Sequence, residues 1–275
     1  MNERAVLFLV RNYLFIHKWF ERVLGGARGC FVGLWLGIFS RRTLNAINKE
    51  YYTRTNRPLY TQRVNDPDYH SNEWNLGGLF SWEERALNRY FRGCKRLLLI
   101  GAGGGREVLA LRRLGYHVDA FEPHPDLVFV ANRLLRAEGY EPSVQLVSRD
   151  EGPTNLGKEY DGIIIGWAAY AYVQERKRRI ALLQELRGNT REQCPILLSF
   201  FHRDDAARSY KIASFVANVV RRSLRRGPAE IGDWLRPEYI HCFTQADISD
   251  ELTAGGFKIV FYGSDEYGHA VGTAV

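Results

Sequence analysis

The chain has 275 residues, 45% hydrophobic and 25% charged, which excludes a disordered polypeptide and leaves room for one large α/β domain or two small ones. Cys30, Cys94, Cys194 and Cys242 show no C-x-x-C spacing and no nearby His at zinc-finger spacing, so no disulfide framework or metal site is expected. The net charge of +7 sits at one end: residues 1–60 carry ten Lys/Arg against three acids, and the rest balances at 28 against 28.

That basic leader suits contact with an anionic partner such as nucleic acid, a membrane surface or an acidic substrate. Val6, Leu7, Val10, Leu14, Phe15, Trp19 and Phe20 form an apolar stripe at helical spacing. Glycines 25, 26 and 29 interrupt it, so two or three short helices are predicted. The apolar run Cys30–Phe39 is ten residues, too short to span a bilayer, and it begins too late for a secretory signal. With reduced thiols and no signal, a cytoplasmic location is expected. Residues 56–80 are rich in Pro, Asn, Asp and Gly and read as a loop or a lid. A helix capped by Ser81 and running from Trp82 to Phe91 follows.

From Lys95 the pattern alternates strands and helices. Strands are predicted at Arg96–Ile100, Tyr116–Glu122, Val144–Val147, Tyr160–Gly166, Pro195–Phe201, Phe257–Tyr262 and Ala270–Ala274. Helices are predicted at Gly105–Leu114, Pro125–Gly139, Val173–Leu186, Ser209–Arg226 and Gln245–Leu252. Fully apolar strands between helices imply a mostly parallel sheet covered on both faces, with one antiparallel edge strand. The fold class is therefore α/β: a Rossmann-like, seven-stranded, mostly parallel sheet. Residues 1–80 form a helical extension, and 81–275 form the main domain. A helical insertion at about 203–254 precedes the sixth strand, its 227–237 stretch reading as a loop.

The chemistry-bearing stretch is RLLLIGAGGGREVLAL, Arg96 to Leu111. A buried strand gives way to glycines and then a helix, so bare backbone and a helix N-terminus can meet a polar or anionic ligand. A dinucleotide fingerprint, G-x-G-x-x-G, would need glycine where Arg106 stands. The spacing present is Gly101, Gly103, Gly105. Glu122 ends the second strand 21 residues past Gly101, where a carboxylate can accept hydrogen bonds from ribose hydroxyls. Asp119, inside that strand, is the weaker alternative.

In G-x-G-x-G after the first strand, and in the order of the segments that follow, the sequence resembles the class I S-adenosylmethionine (SAM)-dependent methyltransferases. The resemblance runs from about Lys95 to Val275. It implies SAM as cofactor and S-adenosylhomocysteine as product, with Gly101, Gly103 and Gly105 under the cofactor and Glu122 on its ribose. It also implies Asp150, or Glu151, near the adenine, and Gly166, Trp167 and Tyr170 at the mouth beside the transferred methyl. The late HCFTQADISDELTAGGFKIVFYG fits the family's last helix, turn and strand. A nicotinamide oxidoreductase is the alternative from another class.

Methyl transfer is an in-line displacement in which alignment and desolvation matter and a base is optional. Candidate catalytic residues are His202, after the fifth strand, and Tyr170. Further candidates are His241 as an acceptor contact, Tyr172 and Glu107 near the methyl donor, and Tyr51, Tyr52 and Tyr60 as covers. The expected acceptor is a small molecule roofed by Trp19, Phe31, Trp35, Phe39, Phe215 and Trp234. RNA gripped by the basic leader with Arg221, Arg222, Arg225 and Arg226, and a lipid acceptor reached by peripheral membrane contact, are the other readings. No transmembrane segment is expected.

Overall fold

Five residues, Arg96–Ile100 (β1), lie at the centre of the sheet, and their three middle leucines are wholly buried. Both faces of this strand are covered, so its sequence is a continuous apolar run rather than an alternation. The computed structural model describes residues 23–53, 68–148, 153, 156 and 160–275. The apolar stripe from Val6 to Phe20, Tyr60, Asp150 and Glu151 lie outside the described residues.

Two helices, Val23–Ile38 (α1) and Arg41–Tyr52 (α2), precede the short helix Asn72–Leu76 (α3) and Ser81–Tyr90 (α4). After β1 come Arg106–Arg113 (α5), His117–Glu122 (β2), Pro125–Ala137 (α6), Val144–Leu146 (β3) and Gly162–Ile165 (β4). A 3₁₀ turn at Ala169–Tyr172 leads to Arg176–Arg187 (α7), Pro195–His202 (β5) and Arg208–Ser223 (α8). The chain closes with Asp233–Leu235 (β6), Tyr239–Phe243 (β7), Gln245–Ala254 (α9), Phe257–Gly263 (β8) and Gly268–Ala274 (β9).

Strands β3, β2, β1, β4 and β5 pair in parallel in that order. β9 then lies antiparallel between β5 and β8. These seven are the expected strands, but the antiparallel one, β9, lies inside the sheet rather than at its edge, where β8 sits. The predicted count misses a hairpin: β6 and β7 pair antiparallel, and β7 adds in parallel to the last two residues of β5. Thus part of the predicted 227–237 loop is a strand. Ser81 is the first residue of α4 rather than its cap. Phe80 holds the cap position, and its N–H donates to Glu83 Oε2 at 2.7 Å.

The glycines of the leader do not break the helix either. Gly29, Gly33 and Gly37, four residues apart, share one face of α1. A Cβ on Gly33 would lie 2.5 Å from the Ala213 carbonyl oxygen of α8. Side chains there would push the two helices apart, so the usual helical cost of glycine is offset by close packing. Val32, Leu36 and Leu44 share a core with Ala213, Ala217, Trp234 and Ile240. The leader helices and the insertion therefore form one packed unit on the side of the sheet where β5 ends.

Candidate active site

The turn after β1 is held in conformations that side chains resist. Gly101, Gly103 and Gly105 have φ of 78°, 55° and 98°. A Cβ on Gly101 would stand 2.3 Å from that of Ala169, and one on Gly166 would stand 2.5 Å from the Gly101 carbonyl oxygen. The ends of β1 and β4 thus touch through glycine alone. Gly105 serves packing: its Cα faces Ala131 of α6, and it starts α5.

Glu122, at the end of β2, is 6% exposed and reaches across this turn. Its Oε2 accepts from the Gly103 N–H at 2.8 Å, and its Oε1 accepts from the His124 N–H at 2.9 Å. Asp119 is engaged elsewhere, accepting from Arg96 at 2.7 Å and from Tyr160 at 3.1 Å. It anchors the start of β1 and does not line the cavity.

Above the turn lies a cavity of about 410 Å³. It is lined by Gly101, Gly103 and Glu122, by Val147 and Ser148, and by the rings of Trp167, Tyr69, Tyr52 and Tyr172. The segment 68–80 packs directly on the glycines. Asn75 donates to the Tyr69 carbonyl at 2.8 Å, and a Cβ on Gly104 would stand 2.1 Å from that carbonyl oxygen. Trp74, Phe80 and Tyr267 surround Trp167 at ring separations of 5.2–5.9 Å. From the other side, α2 reaches the cavity through Asn45 and Tyr52, and Gln174 donates to Asn45 at 2.6 Å. Ala168 and Glu175 bracket the 3₁₀ turn with φ of 59° and 68°. Two non-glycine residues in the left-handed region mark strain in the cavity wall, a feature that concentrates at ligand sites.

The tyrosine pair is chemically constrained. Tyr52 donates to the Tyr172 hydroxyl, and burial pushes both phenols well above their ordinary range, followed by the charge of Tyr172 for Tyr52 and of Glu238 for Tyr172. Both stay protonated near neutral pH, so they offer hydroxyls and not bases to the cavity.

Beneath Gly166 is a buried charge cluster. Arg106 forms a bidentate pair with Glu83 at 2.7 and 2.8 Å and donates to the Gly78 carbonyl. Glu107 accepts from the Trp167 N–H at 3.3 Å. Burial, then Glu83, pushes the Glu107 carboxyl up to about 8, against an ordinary 4.5. Its folded form holds a proton that the unfolded chain releases, so stability falls as pH rises between about 4.5 and 8. A Glu107→Gln variant should show a flatter profile in thermal melts. It should gain on the wild type as pH rises through that window and level off above it. Parallel profiles would contradict the buried acid.

Other candidates stand off the cavity. Tyr170 is 1% exposed, with its hydroxyl donating to Glu251 at 2.7 Å on the far side of the 3₁₀ turn. His202 turns away to the Tyr262 hydroxyl at 2.8 Å. His241 Nδ1 lies 2.8 Å from Asp233 Oδ1. With Glu230 these two make the one His/Asp/Glu cluster of metal-holding spacing among the described residues. Tyr239, Arg179 and the Glu230 and Arg176 N–H groups already donate to its carboxylates. It is a structural network. Of the expected roof, Trp234 is buried in the core, while Phe31, Trp35 and Phe215 face outward. Tyr69, Asn45 and Gln174 line the cavity without any sequence signal; only the aromatic density of 69–82 hinted at a lid.

No family model matches the chain. Over 150 residues it is 29% identical to the ubiquinone biosynthesis O-methyltransferase of Xanthomonas oryzae pv. oryzae, covering 51% of this chain and 60% of that protein. The namesake from Xanthomonas campestris pv. campestris is 28% identical over the same lengths. The chain thus spans less than two thirds of these curated relatives. A SAM-dependent methyltransferase from Methanosarcina mazei superposes with a TM-score of 0.55 at 17% identity, covering 72% of this chain and 99% of that one. An amino pentose methyltransferase from Micromonospora echinaspora gives 0.53 at 13% identity, covering 78% and 100%. The magnesium protoporphyrin IX methyltransferase of Synechocystis gives 0.50 at 16% identity, covering 84% and 96%. Strand order, the glycine turn and these likenesses agree that this chain has the fold of the class I SAM-dependent methyltransferases.

Proposed function

We propose that the chain binds SAM across Gly101–Gly105 and Glu122 and transfers its methyl group to a small molecule held against Trp167, Tyr69, Tyr52 and Tyr172. One observation carries the reading: a side-chain-free turn and the buried Glu122 carboxylate meet in one cavity that aromatic rings also line. Arg106, where a dinucleotide site would have glycine, is buried on Glu83 and leaves no second bare turn.

When bound, the cofactor supplies the activated methyl group on a sulfonium. The chain supplies the remainder. Glu122 accepts the ribose hydroxyls, and the Gly103 and His124 N–H groups hold its carboxylate in place. Asp150, beyond Ser148, is the proposed adenine-side acid, and Gly166 keeps the mouth narrow. The rings of Trp167 and Tyr69 turn apolar walls to the sulfonium end, where a cation is attracted by a ring face. The neutral Tyr52–Tyr172 pair and the Asn45–Gln174 amides orient a polar group of the acceptor. No base is assigned to His202 or Tyr170, since neither borders the cavity. The ubiquinone-pathway name of the curated relatives supports an aromatic hydroxyl as the acceptor.

The test is transfer of labelled methyl from SAM to a panel of hydroxylated aromatics, with calorimetry of SAM and NADH alongside. Binding of NADH in place of SAM would overturn the reading. Tyr172→Phe removes one hydroxyl from the acceptor end. It should lower kcat about tenfold, the worth of one hydrogen bond in a dry site, and leave SAM affinity unchanged. An equal loss in SAM affinity would move Tyr172 to the cofactor.

A further inference from the structure

The three aromatics that turn away from the cavity belong to a larger surface. On α1, Leu24, Phe31, Leu34 and Ile38 are 42–64% exposed, and on α8 Phe215 and Val219 are 71% and 56% exposed. The helices run in parallel, Gly29 on Ser209 and Ile212, Gly33 on Ala213, Gly37 on Ala217 and Val220. Leu34 and Ile38 of α1 and Phe215 and Val219 of α8 stand on the solvent side of this seam. Large apolar side chains exposed on both helices of one packed pair mark an interaction site rather than ordinary exposure.

Its charge names the partner. Residues 23–49 contain no Asp or Glu and four Lys/Arg; residues 206–229 contain none and six. Arg208, Lys211, Arg222 and Arg225 are exposed at the two ends of α8, with Phe215 and Val219 between them. A second copy would bring like charges together, and a nucleic acid would leave the aliphatic residues unused. An apolar face on two helices that carry no acid of their own, with basic residues at the ends of α8, matches the boundary of an anionic bilayer. No single helix among the described residues is long and apolar enough to cross a membrane, and α1 meets α2 at a bend of 111°. The pair suits lying on a surface rather than crossing it.

We infer that α1 and α8 form a docking face for anionic phospholipid membranes. Helix α2, two residues past α1, lines the cavity with Asn45 and Tyr52, so docking sets the acceptor end of the cavity beside the lipid phase. The inference goes beyond methyl transfer, and its test needs no cofactor. The full chain is sedimented with phosphatidylcholine vesicles, with or without phosphatidylglycerol, over a salt series. Binding should require phosphatidylglycerol and weaken with salt. The exposed-site variants Phe31→Glu and Phe215→Glu should each cut partitioning at least about tenfold with unchanged melting. Arg222→Glu with Arg225→Glu should do the same. No binding to anionic vesicles at low salt, or binding untouched by the Phe variants, overturns the proposal. So does self-association that the Phe variants abolish without any vesicle binding, or binding of an RNA oligonucleotide that the Arg variants abolish while vesicle binding persists.

Discussion

Replacing Glu122 by Ala should weaken SAM binding about a hundredfold by calorimetry while far-UV spectra and melting stay near those of the wild type. Among the described residues, the carboxylate is the one acid placed both to brace the glycine turn and to face the cavity. A hydrogen bond to a charged group contributes about 1.5–3 kcal/mol, and a ribose has two hydroxyls to offer. Losing both at the lower value, about 3 kcal/mol in all, corresponds to about two powers of ten. Glu122→Gln separates the parts. The amide can still accept from one N–H, so the turn stays near its native shape, but its charge is gone. It should fall between wild type and Glu122→Ala. A cofactor affinity unchanged in both variants would remove Glu122 from the site.

The second large effect concerns stability. Arg179 is 1% exposed and donates to Glu251 at 2.7 and 2.9 Å and to Glu230 at 2.8 Å. Glu251 also takes the Tyr170 hydroxyl, so α7, α9, the 3₁₀ turn and the β6 segment meet at one buried network. Arg179→Met keeps much of the volume but leaves the buried Glu251 with only the more distant Arg176, at 3.8 Å, as a cation. Breaking a buried pair from one side costs about 3–5 kcal/mol, a fall in Tm of about 10 °C for a domain of this size. The double change Arg179→Met with Glu251→Leu should recover much of that loss, since no charge is then stranded. If the double variant is no better than the single one, the cost lies in packing and not in the stranded carboxylate. The network also explains Tyr170: its hydroxyl fixes the back of the cavity wall while Tyr172 faces the cavity.

The parts of the site that were legible in the sequence are those set by local rules. Gly101, Gly103 and Gly105 follow an apolar strand and precede a helix, and positive φ at three alternate positions demands glycine. Glu122 was legible because a strand end at fixed distance from that turn has few places to go. The acceptor side was not, because it depends on which way side chains face in irregular or end segments. Tyr170 and Tyr172, two residues apart in a 3₁₀ turn, point to opposite sides. His202 ends β5 and turns toward Tyr262. The β6–β7 hairpin escaped notice because its first strand is three residues long, short of any readable alternation. The outward Phe31, Trp35 and Phe215 look like roof residues in sequence. Only the glycine-to-α8 packing, a contact between residues about 180 apart, turns them to the outside.

On the proposed function, the hollow over the glycine turn holds a nucleoside whose sugar meets Glu122. A crystal structure with S-adenosylhomocysteine tests it most directly. Both ribose hydroxyls should lie within hydrogen-bond distance of the Glu122 carboxylate, with the sulfur directed toward Trp167. Ligand density away from Glu122, or a dinucleotide in the same hollow, would contradict it.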